Sequence, residues 1–136
     1  MCQNLTPLAV SSEVRGIYRC EHGTIHLTWE VITTYLDWQT LAHLVEVTRQ
    51  GKGLEAPGQL RAGPCQLFYT RQGFFQVWVR TVGFTLSRPD FEILADMVQV
   101  AFKELTQPAA QAQPVQNTKV YQRTVKASAR LSFSDN

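Results

Sequence analysis

The sequence predicts an α+β fold in which a ββα unit, or βββα if its long run breaks, is duplicated into an antiparallel sheet with two helices packed on one face. Three observations predict it. Aligning the chain with itself at an offset of 50 places Gly23 on Gly73, Leu36 on Leu86, Asp37 on Ser87, Leu41 on Phe91, Leu44 on Leu94 and Val47 on Met97 without a gap. In each copy a short β-prone run meets a turn ending in glycine, and a longer β-prone run follows. Each long run then gives way to a capped stretch with helical apolar spacing.

The copies span about residues 14–50 and 64–106. In the first, Ile17-Tyr-Arg-Cys20 precedes the His22-Gly23 turn and the run Thr24 to Leu36; in the second, Leu67-Phe-Tyr-Thr70 precedes Gln72-Gly73 and Phe74 to Leu86. The natural break points in the long runs are Glu30-Val31 and Arg80-Thr81. A two-residue hairpin with glycine at the second central position would set Cys20 opposite Ile25, Arg19 opposite His26 and Tyr18 opposite Leu27. That register gives copy one an apolar face of Tyr18, Cys20, Ile25, Leu27 and Trp29 and a wet face that includes Arg19, Thr24, His26 and Thr28.

The helices follow from their caps. Asp37 starts the first, Leu41, Leu44, Val45 and Thr48 line its apolar face, and Gly51 ends it. Ser87-Arg-Pro-Asp90 starts the second, with a hydroxyl for free amides and a carboxylate at the positive end of the dipole. Phe91, Leu94, Ala95, Val98, Phe102 and Leu105 line its core side. Between the copies, residues 51–64 carry several glycines and two prolines and read as a long loop, a candidate recognition element.

Residues 1–106 therefore form one domain, with a charge of −1, and residues 107–136 form a Gln/Pro linker and a basic tail of charge +3 that is expected to be disordered. The whole chain has 136 residues and a formal charge of +2, which argues against a dedicated nucleic-acid binder. Its size supports a core without metal or disulfide. No apolar run approaches the roughly 20 residues of a membrane span, no signal-peptide pattern opens the chain, and a cytoplasmic location is the expectation.

No catalytic set is recognised. Cys20 and His22 lie close in sequence with His26, but on the two-residue register Cys20 faces the core and His26 solvent, and no second ligand pair completes a tetrahedral metal site. Gly51-Lys52-Gly53 lacks the remaining residues of a phosphate loop. The three cysteines fit reduced thiols, and neither a cofactor nor an enzymatic activity is expected.

Copy two is where the sequence points to a surface. On the same register Leu67, Tyr69, Phe74 and Trp78 share the outer face with Arg71, Gln76 and Arg80. Such an apolar patch on a monomer calls for a cover: a second subunit, a partner protein, the tail, the segment Leu5 to Val10 or the connector. The expected function is a non-enzymatic protein-binding or assembly factor, adaptor or chaperone-like, that self-associates and contacts its partner through Leu67, Tyr69, Phe74, Trp78 and Arg80. The alternative is a small-molecule or single-stranded nucleic-acid binding module, since aromatics beside Arg also make a stacking platform.

Cys20-Glu-His-Gly-Thr-Ile-His-Leu-Thr-Trp29, followed by Leu36 and a capped helix, resembles a pattern of small uncharacterised bacterial proteins. There a second Cys often follows the first and a Gly-Asn turn follows the aromatic residue; here Glu21-His22 and Glu30-Val31 hold those places, and the resemblance implies no activity. In size, α/β body, Gln richness and tail, the chain also resembles the small cyanobacterial factors that assist carboxysome shell assembly. That resemblance implies a peptide partner such as a shell-protein tail.

Overall fold

The computed structural model describes residues 2–107; the tail and nearly all of the linker expected from residue 107 onward lie outside the described residues. The element order is β1 (Leu5–Ser12), β2 (Arg15–Cys20), β3 (Ile25–Trp29), β4 (Ile32–Leu36), α1 (Trp38–Gly51), β5 (Gly58–Ala62), β6 (Cys65–Tyr69), β7 (Phe75–Val79), β8 (Val82–Leu86) and α2 (Arg88–Thr106). The fold is α+β, and each copy is a four-stranded antiparallel meander followed by a helix. The strands form two sheets, β1-β2-β3-β4 and β5-β6-β7-β8, where the sequence led us to expect one.

The duplication extends to individual hydrogen bonds. Val14 O accepts from Glu30 N at 2.7 Å, and fifty residues on Pro64 O accepts from Arg80 N at 3.0 Å. Cys20 N donates to Thr24 O at 3.0 Å, as Thr70 N does to Phe74 O at 2.8 Å. The long runs break at the expected points, where Glu30 and Arg80 take φ of 59° and 58°. A non-glycine residue in that region is strained, and both copies carry the strain at the same place.

Two expectations are corrected at the copies' outer strands. The connector is not a long loop, because Gly58–Ala62 pairs with β6, and Leu5–Ser12 pairs in the same way with β2. Both extend a sheet edge in plane rather than lying across the sheet face. Register shifts between Pro7 and Ala9 and between Val10 and Ser12 put β1 out of step with the repeat, so self-alignment misses this strand.

Asp37 and Ser87 cap the helices as expected, accepting from Thr40 N at 2.8 Å and Asp90 N at 3.3 Å. The helices then exchange partners. α1 lies mainly on β5 and β6 of the other copy, α2 lies mainly on β1 and β2, and the helices touch each other. Gly51 is needed for this packing rather than for a cap. It is the last residue of α1, is buried, and a Cβ there would sit 2.6 Å from Leu67 Cδ1 and 2.9 Å from Phe91 Cζ. Polar ties also cross between the copies: Arg15, stacked on Trp29 of its own copy at 4.3 Å, pairs with Asp90 at 3.1 Å, and Lys52 meets Asp96 at 2.8 Å. One core results, built from Ile17, Leu27, Leu44, Leu67, Phe75, Phe91 and their neighbours.

Candidate functional site

The turns after β2 and β6 decide which residues face outward. Each is a three-residue loop, Glu21-His22-Gly23 or Arg71-Gln72-Gly73, closed by Cys20/Thr24 or Thr70/Phe74. Gly23 and Gly73 carry φ of 84° and 89°, the left-handed position of a bulged turn, and a Cβ at either would have nothing within 4 Å. Compared with a two-residue turn the register moves by one, and Ile17 opposes Leu27 while Leu67 opposes Val77. One residue of slip turns every side chain of β2 and β6 over.

This corrects two of the five expected contact residues. Leu67 is fully buried, and Tyr69 is half-buried on the core side, stacked on Phe75 with ring centroids 4.5 Å apart. Arg88 lies over both rings, 5.3 and 5.0 Å from their centroids. Phe68, assigned to the core by the two-residue register, takes the outer position instead and is half-buried. Phe74 and Trp78 are at the surface, 47% and 36% exposed, and Arg80 is exposed at the β7–β8 turn.

The outer face of the second sheet therefore carries Phe68, Phe74 and Trp78 among Gln66, Gln76 and Thr85. Trp78 lies over Gly83, where a Cβ would come within 2.9 Å of the indole. Glycine is required at this strand position because the ring occupies the space a side chain would need. The first sheet does the same with Tyr18 over Gly16.

A second cluster was legible in the sequence only in part, since Cys20, Glu21 and His22 lie together there but Cys2 does not. Because of the slip, Cys20 leaves the core side and lies buried beneath Cys2, against the expectation that it points inward. Sγ of Cys2 lies 3.6 Å and Sγ of Cys20 3.9 Å from Nδ1 of His22. The Glu21 carboxylate joins them, all four ligand atoms falling within 4.8 Å of one another. Gln3 N and Asn4 N donate to that carboxylate, each at 3.2 Å, which fastens the segment before β1 to the turn. Its own amide and those two donors hold Glu21 below the usual carboxylate range.

Cys2 and Cys20 share their protons unequally. The hydrogen bond to Cys20, with burial, pushes Cys2 up to about 11. Burial also acts to raise Cys20, but hydrogen bonds from Cys2, His26 and the backbone at His22 and Thr24 outweigh it and bring it down to about 6. Nε2 of His26 is buried and has no hydrogen-bond partner among the described residues. A cleft lined by Asn4, Thr6, Arg19, Cys20, Glu21 and Gly23 opens beside the cluster. Cys65 is different: burial pushes it up to about 11, and its thiol donates to Thr40 O at 3.7 Å.

No family description, curated protein or solved structure matches this chain. No helix among the described residues is long and apolar enough to cross a membrane.

Proposed function

We propose that the chain is a non-enzymatic protein-binding or assembly factor that takes its partner on the outer face of the second sheet. The exposure of Phe74 and Trp78 on a face that no described segment covers carries this reading. Aromatic side chains give large contact area for little lost rotamer freedom, and the glutamines around them supply a hydrogen-bonding rim. Arg80 stands at the edge of this face and can orient an incoming carboxylate or peptide. A peptide segment such as a shell-protein tail is the partner class in keeping with the carboxysome resemblance.

The test is affinity capture from the native host, run with the full chain, a 1–106 truncation and Trp78→Ala, with mass measured in solution. Capture or oligomerisation lost in Trp78→Ala, with a cooperative thermal melt retained, supports the face as the contact surface. Capture equal in all three shows that the partner binds elsewhere; capture lost only on truncation assigns it to the tail.

A further inference from the structure

We propose that Cys2, Cys20 and His22, with the Glu21 carboxylate, form a binding site for a zinc-type divalent cation. The site would staple the start of the chain to the β2–β3 turn. Sulfur and imidazole ligands at about 2.3 and 2.05 Å from a tetrahedral zinc stand about 3.6 Å apart. The two Sγ–Nδ1 separations are 3.6 and 3.9 Å, close to the spacing of shared ligation. Two thiols, one imidazole and one carboxylate favour zinc over the oxygen-seeking magnesium and calcium.

The turn supplies the surrounding shell that such a site needs. His22 N donates to Cys20 Sγ at 3.4 Å, an amide bond to the ligand sulfur that disperses thiolate charge and fixes its direction. Gln3 N and Asn4 N hold the carboxylate in place, and with Glu21's own amide also donating, one lone pair remains for an ion. The cleft beside Cys20 and Glu21 gives an ion a way in. In copy two the same loop reads Thr70-Arg71-Gln72-Gly73, with no soft ligand, so the site belongs to copy one alone.

The test uses the full-length chain, reduced and stripped with a chelator, then titrated with zinc against a chromophoric competitor and separately with cobalt. The result expected is one zinc per chain, with cobalt giving thiolate charge-transfer bands and the intense d–d bands of a tetrahedral site. His22→Ala, an exposed position, and Cys20→Ser should each weaken zinc by at least about 100-fold, since losing even a supporting group around a metal costs 10–100-fold. Cys65→Ser should bind as the wild type does. Circular dichroism of the metal-free variants confirms that they remain folded. Absence of zinc binding in the reduced wild type, or binding unchanged in His22→Ala and Cys20→Ser, overturns the proposal.

Discussion

Residues 28 and 33 of the first sheet and 78 and 83 of the second occupy the same facing pair of strand positions, fifty residues apart. In copy one the pair is Thr28 and Thr33, whose hydroxyls stand 3.2 Å apart. In copy two it is Trp78 over Gly83. The turns differ in the same manner: copy one gathers Cys20, Glu21 and His22, whereas copy two has Thr70, whose hydroxyl bonds the backbone of Phe74. Duplication has kept the backbone, down to the positive φ of Glu30 and Arg80, and left the outward-facing residues free to diverge. The core side could not diverge so freely, because each helix closes the other copy's sheet.

The largest effect should come from separating the copies. Peptides covering residues 1–53 and 54–107 leave each sheet without its main helix, forfeiting stability on the order of 5–15 kcal/mol. Neither should fold as a monomer, and mixing them should restore the circular dichroism of the intact chain. A cooperative melt from either peptide as a monomer would contradict the exchange of helices.

Next come the side chains that the slip turned inward. Leu67→Ala should cost about 2–5 kcal/mol and Tyr69→Ala about 3 kcal/mol or more, because both empty the core. Trp78→Ala, on the outer face of the same hairpin, should cost about 1 kcal/mol or less. Chemical denaturation separates the groups; equal losses at 69 and 78 would return Tyr69 to the surface. Gly51→Ala belongs with the inward set, at about 1–3 kcal/mol, since the added methyl meets Leu67 and Phe91.

The hairpin prediction failed on one residue of loop length. His22-Gly23 and Gln72-Gly73 suit the second and third residues of a bulged three-residue turn as well as the centre of a two-residue one, and local sequence does not separate them. The burial pattern does: Ile17, Ile25, Leu27 and Trp29 all need the same side, which only the three-residue loop provides. Helix caps and helix faces were legible because Asp37 and Ser87 act within their own first turn. β1 and β5 were not, because glycine, proline and a bulge hide strands whose stability comes from pairing. Cys2 joins Cys20 only once β1 has paired, so no spacing motif announces the cluster.

Two smaller effects probe the turns. Arg80→Gly should raise stability by up to about 1 kcal/mol, since glycine adopts positive φ without a Cβ penalty. An unchanged or lower melting temperature would mean that the arginine side chain offsets its own backbone strain. In the metal-free, reduced chain, where Cys20 faces Cys2, Glu21, His22 and His26, its thiolate should form with a midpoint at about pH 6. Cys2→Ala removes a hydrogen bond to that thiolate, so the midpoint in ultraviolet titration should move upward; no movement would dissociate the two thiols.

The central claim is that the copies share a backbone and differ in what their outer faces bind. It is tested most directly by capturing partners in parallel with Phe74→Ala and Trp78→Ala from copy two and with Thr28→Ala and Tyr35→Ala from copy one, all exposed or half-buried on the outer faces or at their rims. Only the copy-two variants should lose the partner, at least about tenfold for Trp78→Ala, as for an aromatic contact at an interface centre. Equal loss from both copies, or loss confined to Thr28 and Tyr35, would contradict it.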